Sequence, residues 1–213
     1  MEHLARCSAL LGQYSDEMGV HLDSEQLIQF QIYLEQLKIW NRSINLTSIK
    51  DDVEIVIKHF LDSLAGLAAE EMPVGARLLD VGTGAGFPGI PLKIARNDLN
   101  VTLVEPVQKK VSFLYSLIGQ LQLRDVRVFY GTFENFCRGL GHGLKFDYVT
   151  TRALKRDVIL HGEYDVLGSC GKTILYQTDP LSGAIPGCSI VRQHVFALPR
   201  GYGDRVVAVL CKS

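Results

Sequence analysis

The stretch LLDVGTGAGFPGIPLKIA, which begins at Leu78, limits the fold more than any other part of the chain. A short apolar run leads into a segment almost free of side chains, and an amphipathic run follows. Gly82, Gly84 and Gly86 supply a turn in which missing Cβ atoms permit positive φ and close backbone approach. Pro88 and Pro91 fit the start of a helix, where amide hydrogens are not needed inside the helix. The unit is therefore strand, tight turn, helix. In doubly wound sheets, ligands bind beyond the carboxyl ends of the strands, near the first such turn. A turn that binds nothing is the competing reading of any lone glycine cluster.

From Ala76 onward, short β-rich runs alternate with helical ones. Strands are predicted at RLLDV, VTLVE, VRVFYG and KFDYVTTR, with helices at GIPLKIARND, KKVSFLYSLIGQLQL and RDVILHGEYDVL. Three more strands follow at KTILYQ, SIVRQHVFAL and RVVAVLCK. This alternation implies an α/β fold, a doubly wound parallel sheet with helices on both faces. Only PRGYGD separates the last two strands, too little for a parallel crossover, so they should form an antiparallel hairpin. Ahead of Ala76 the texture is helical. Asp23 and Gln26 form a capping-box pair, and Leu27, Phe30, Leu34 and Leu37 recur at helical spacing, with Tyr33 and Trp40 widening the stripe. A second helix is expected from Val53 to Ala69, with Ile55, Val56, Phe60, Leu61 and Leu64 on its apolar side. Pro73 and Gly75 close this section. The expected division is a helical extension over 1–75 and a ligand-binding core over 76–213.

Asp80 stands just ahead of the glycines, where a carboxylate opposes a bound pyrophosphate and suits a ligand bearing a cation. Glu105 ends the next strand, placed to accept both hydroxyls of a ribose. A ligand with a ribose, an amino-acid group and a positive sulfur satisfies both acids, and that ligand is S-adenosylmethionine. The rival is a dinucleotide, because Gly84, Gly86 and Gly89 match G-x-G-x-x-G in a shifted register, a weak signal alone that leaves Asp80 unexplained. Phe133 and Glu134, after the third strand, are candidates to lie beside an adenine; a surface loop with one buried aromatic is the alternative. Thr150, Thr151 and Arg152 end the fourth strand, where the arginine fork suits a carboxylate. An ordinary surface arginine is the alternative there.

Bulk properties exclude several classes. Hydrophobic residues make up 47% and charged residues 21%, an ordinary globular balance. No apolar run reaches the roughly 18 residues of a membrane span, and no secretory leader is expected. The five cysteines are scattered without a C-x-x-C pair, as free thiols in a reducing cytoplasm would be. A net charge of -1 gives no whole-chain argument for a polyanionic partner, so any nucleic-acid surface is local. Lys38, Arg42, Lys50 and Lys58 form one basic group, and Arg152, Lys155 and Arg156 another. The six histidines are dispersed, and no metal site is expected.

Several motifs together resemble the bacterial small-subunit rRNA guanine-N7 methyltransferases, also called the glucose-inhibited division protein B family. They are KIWNRSINLTSI, VIKHFLDSL, LLDVGTGAGFPGIPL, VEPVQKKVSFL, FDYVTTRAL and GDRVVAVLCK, and they span nearly the whole chain. NLT followed by KHFLDS is far more specific than the glycine loop. The resemblance implies a seven-stranded class I (Rossmann-like) methyltransferase sheet with an antiparallel C-terminal hairpin and an N-terminal helical extension. It implies a donor site at Gly82, Phe87, Phe133, Glu134 and Arg152, with Asp80, Thr83, Gly84, Gly86 and Glu105 beside them. Asn45, His59, Asp62 and Ser63 would bring the extension to the mouth of the pocket, and Arg205 would join from the last strand. Apart from the resemblance, the two basic groups, Lys155 and Arg156 included, are expected to share one side and grip RNA phosphates, with solvated helix faces as the alternative.

The implied activity is methyl transfer from S-adenosylmethionine to N7 of a guanine in 16S rRNA by a cytoplasmic monomer acting on rRNA or the small subunit. N7 presents an in-plane lone pair, so no general base is needed and no catalytic acid or base is assigned. The chain departs from the family pattern at Thr132, where an arginine is common, and at Gln177 and Thr178, where a lysine and glycine are usual. TDPLSGAIPGC is also short and turn-rich. Other readings of the same residues are a methyltransferase of a small molecule or protein, a nicotinamide-dependent oxidoreductase, and a binding protein that keeps the donor fold without transfer.

Overall fold

The computed structural model describes residues 2–139, 143–152, 166–183, 185 and 187–212. Two helices come first, α1 (Glu2–Glu17) and α2 (Ser24–Asn41). The predicted capping box opens α2: the Gln26 amide donates to Asp23 Oδ1 at 2.8 Å and the Asp23 amide to Gln26 Oε1 at 2.8 Å, worth about 1 kcal/mol. The Gln26 side chain also donates to the carbonyls of Ile94 and Ala95 at 2.9 and 3.0 Å, which ties the extension to the helix after the glycine loop.

The helix expected from Val53 to Ala69 runs without a break as α3 (Asp52–Ile55), a π-helical stretch (Val56–Leu61) and α4 (Asp62–Ala69). Its predicted apolar side is buried: Ile55, Val56, Phe60, Leu61 and Leu64 are each at most 2% exposed. The π stretch widens one turn, a device often found at functional sites, and it holds Lys58 and His59.

The sheet comprises β1 (Arg77–Val81), β2 (Asn100–Glu105), β3 (Val126–Tyr130), β4 (Phe146–Thr151), β5 (Leu167–Gln177), β6 (Cys188–Ala197) and β7 (Asp204–Lys212). Their order is β3-β2-β1-β4-β5-β7-β6. β1 through β5 pair in parallel, and β7 runs antiparallel to both β5 and β6, which is the expected closing hairpin. Helices α5 (Gly89–Ala95), α6 (Gln108–Gln120) and α7 (Phe133–Arg138) connect the early strands. The predicted helix RDVILHGEYDVL falls mostly on 153–165, outside the described residues. Its final Leu167 is the first residue of β5, which begins earlier than KTILYQ.

Strand order reverses between β1 and β4, so a crevice opens at their carboxyl ends. One buried cluster takes residues from Cys7 to Val209, on both sides of position 75, so the extension and the sheet share a core. All five cysteines are free thiols. Among the described residues no helix is long and apolar enough to cross a membrane.

Candidate active site

The glycine loop crosses the carboxyl ends of β1 and β2, held by Gly82 and Thr83 amides that donate to Val104 O. Gly82, Gly84 and Gly86 have φ of 70°, 62° and 100°. A Cβ on Gly86 would lie 2.7 Å from Tyr33 Oη and 2.8 Å from Ile90 Cγ1, so the loop is pressed there against α2. A Cβ on Gly84 would meet nothing within 4 Å, so the loop is open at that point. Tyr33, fully buried, donates to Ala85 O at 2.5 Å and stacks on Phe87 at 5.3 Å. Sequence reasoning placed Tyr33 in the helix stripe and missed this role.

Asp80 is wholly buried, and its Oδ2 accepts from Thr83 Oγ1 at 2.6 Å and from the Gly89 amide at 2.8 Å. Its Oδ1 has no hydrogen-bond partner among the described residues. Burial raises its pKa from 3.8 to about 6, against the lowering effect of the Thr83 and Gly89 bonds. The folded protein therefore holds this proton more tightly than an unfolded chain. The resulting stability is fully present below pH 3.8 and is lost as pH rises through about 6. Ionised Asp80 is a buried charge short of a partner. Glu105 is 3% exposed and accepts the Gly84 amide on Oε2 and the Val107 amide on Oε1, both at 2.9 Å. Each oxygen retains a lone-pair site, as two ribose hydroxyls require.

Arg152, at the end of β4, reaches into the helical extension. Nη1 donates to Lys58 O at 3.1 Å and to Asp62 Oδ2 at 3.2 Å, Nη2 donates to His59 Nδ1 at 3.0 Å, and the guanidinium lies 4.9 Å from the Phe87 ring centre. Because arginine only donates, His59 Nδ1 accepts, and His59 Nε2 carries the proton given to Thr47 Oγ1 at 2.8 Å. Burial and then Arg152 push the His59 pKa down to about 3, so the ring is neutral at working pH. Its face stacks on Phe87 at 4.6 Å. Asp62 also meets Arg205 Nε at 3.6 Å. Asp62, Arg152 and Arg205 line a cavity of about 580 Å3 whose far wall is Gln177, Thr178 and Asp179 at the end of β5.

Most of the other candidates turn inward. Phe87 and Phe133 are each 5% exposed; Phe87 packs against Tyr33, His59 and Phe60, while Phe133 joins the cluster of Leu79, Val81 and Val104. Glu134 points outward to Arg138 at 2.8 Å. Thr132 caps α7 by accepting the Asn135 amide at 3.2 Å, a local reason for threonine there. Thr150 and Thr151 are buried and donate to Ile174 O and Val81 O, tying strand ends together. Ser63 is buried with its hydroxyl on His59 O at 2.6 Å, and Asn45 is exposed on the loop after α2. Lys155 and Arg156 lie outside the described residues. Within NLT, it is Thr47 that reaches the site, a residue sequence reasoning did not single out.

The chain matches the family rRNA small subunit methyltransferase G over residues 26–176. It belongs to that family. Ribosomal RNA small subunit methyltransferase G of Geobacillus thermodenitrificans is 35% identical over 93% of this chain and 87% of that protein. The protein of the same name from Lachnoclostridium phytofermentans is 45% identical over 67% of this chain. That match spans 59% of the relative's own length. A crystal structure of TrmN from Thermus thermophilus superposes with a TM-score of 0.56 at 17% identity, covering 74% of this chain and 53% of that one, and shows a shared fold. Family membership thus rests on sequence.

Proposed function

We propose that the chain transfers the methyl group of S-adenosylmethionine to N7 of a guanine in 16S rRNA, acting in the cytoplasm where ribosomes assemble. The observation that carries the donor reading is the Asp80 carboxylate on the Gly89 amide. That amide begins α5, where a dinucleotide would place its pyrophosphate, and a carboxylate there takes the amide and repels the phosphate. The unpartnered Asp80 Oδ1 and the open loop at Gly84 fit a cationic donor instead.

Asp80, wholly buried beside the loop, would act on the positive end of the donor through its field, while Glu105 would meet its ribose and the glycine loop its backbone-facing edge. Bound there, the donor would supply an electrophilic methyl on a sulfonium, and displacement by the N7 lone pair would leave a neutral thioether and pass the positive charge to the guanine ring. No proton moves, so the residues have only to orient and exclude water. Rate then depends on holding N7 roughly 3–3.5 Å from the methyl and in line with sulfur. The cavity beside Arg152 suits the acceptor. With His59 neutral, the cavity lining sets Arg152 and Arg205 against Asp62 and Asp179, so it carries no net charge, and the two guanidiniums offer a nucleotide their N–H donors.

Naked 16S rRNA, small subunits and mature ribosomes, each offered with methyl-labelled donor and then digested to nucleosides, provide the test. Label in 7-methylguanosine is expected from at least one of them. Label in another nucleoside contradicts the N7 assignment, and label in none contradicts the rRNA reading.

A further inference from the structure

A second cavity, of about 390 Å3, lies in the helical extension where α2 ends and the chain turns toward α3. Part-exposed Ile49 gives it an apolar face, Leu37 and Ile55 are buried at its base, and Asn41 and Thr47 shape its side. Asn41 spends its amide on the loop: Oδ1 accepts the Leu46 and Thr47 amides at 2.8 and 3.1 Å, and Nδ2 donates to Thr47 O at 2.9 Å. The wall is therefore held in one shape before anything binds.

Three cations line the cavity, and they are not equivalent. Lys38 is neutralised by Asp52 at 2.7 Å. Arg42 and Lys50 are exposed and enter no ion pair among the described residues. Asp51, on the same turn, is engaged in capping α3 through the Glu54 amide at 2.9 Å. An apolar slot with two free cations at its rim has the pattern that receives one splayed base with its backbone phosphates. Its volume falls within the range of small-ligand sites.

The cavity is also wired to the candidate transfer site. Thr47 Oγ1 accepts from the Ile49 amide at 3.1 Å and from His59 at 2.8 Å, and His59 accepts from Arg152 at 3.0 Å. We propose that this cavity holds one unpaired nucleotide of the RNA substrate near the methylated guanine, its base against Ile49 and its phosphates on Arg42 and Lys50. The inference rests on the rRNA reading above and adds the place where the extension grips the strand.

The full chain with 16S rRNA and labelled donor tests it, through KM for RNA measured across a salt series. The pair Arg42→Gln/Lys50→Gln should raise that KM about tenfold and flatten the salt slope by about 1.4, the loss of two single-strand phosphate contacts. Donor affinity should not change. Ile49→Trp, which fills the slot, should raise KM without altering the salt slope. Should the indole lower the melting temperature, Ile49→Gln makes the same test by wetting the slot. A flattened slope with normal KM in the Ile49 variants would leave cations gripping the backbone and overturn the base pocket. Wild-type methylation with every variant indistinguishable would overturn the pocket while the rRNA reading stands. A wild-type protein that labels no rRNA would remove both.

Discussion

Gly86→Ala should abolish donor binding and lower the melting temperature by about 10 °C, the drop expected for a loss of about 3 kcal/mol in a chain of this size. Two penalties add. A left-handed φ of 100° strains any residue with a Cβ, at about 1–2 kcal/mol. The new Cβ would meet Tyr33 Oη at 2.7 Å and Ile90 Cγ1 at 2.8 Å, and overpacking of this kind costs about 1–3 kcal/mol. Tyr33 is fully buried and donates to Ala85 O, so relief by moving it leaves that carbonyl short of a partner. Gly84→Ala is the matched control: φ is again positive, but the Cβ enters open space, so its loss of stability should be smaller. Thermal melts and donor titration of both variants check the pair, and equal melts would show that Tyr33 does not press on the loop.

Arg152→Ala should cost about 2–3 kcal/mol, less than breaking a fully buried ion pair, because Arg152 is part-exposed and Arg205 stays beside Asp62. Asp62 would keep only Arg205 at 3.6 Å, and His59 Nδ1 would lose its donor. Methyl transfer should fall at least about 100-fold at temperatures where the variant is folded, since misplacement of about 1 Å has that effect. Arg152→Lys separates the two roles. An ammonium restores charge to Asp62, but lacks the fork that reaches Lys58 O, Asp62 and His59 together. It should recover much of the melting temperature and little of the rate. A lysine variant with normal turnover would reduce Arg152 to a charge partner.

Much of the fold could be read because its signals are local. Asp23 and Gln26 stand at a fixed offset, the glycines sit where a strand must become a helix, and PRGYGD is too short for anything but a hairpin. The site was less readable. Asp80 was a natural candidate because a carboxylate there opposes a pyrophosphate, yet its grip on the Gly89 amide needs the loop's path in space. Phe87 and Phe133 flank ligand-like segments, but the pattern does not say which way an aromatic ring faces, and both turn into the core. The Thr47–His59–Arg152 chain joins three elements far apart in sequence. Hydrophobic spacing gave the helix carrying His59 but not its π turn, because Val56, Phe60 and Leu64 recur in four-residue steps that an unbroken α-helix also gives.

Calorimetric titration of S-adenosylmethionine into the wild-type chain at pH 7.5 and pH 5 tests the donor cradle most directly. A carboxylate with a pKa of about 6 in the free protein, held ionised by a cationic ligand, must release its proton on binding at pH 5. One molecule per chain should bind at both pH values, about tenfold more weakly at pH 5, with protons released to the buffer. No saturable heat, or binding whose strength and proton count are the same at both pH values, would contradict a cradle built around Asp80.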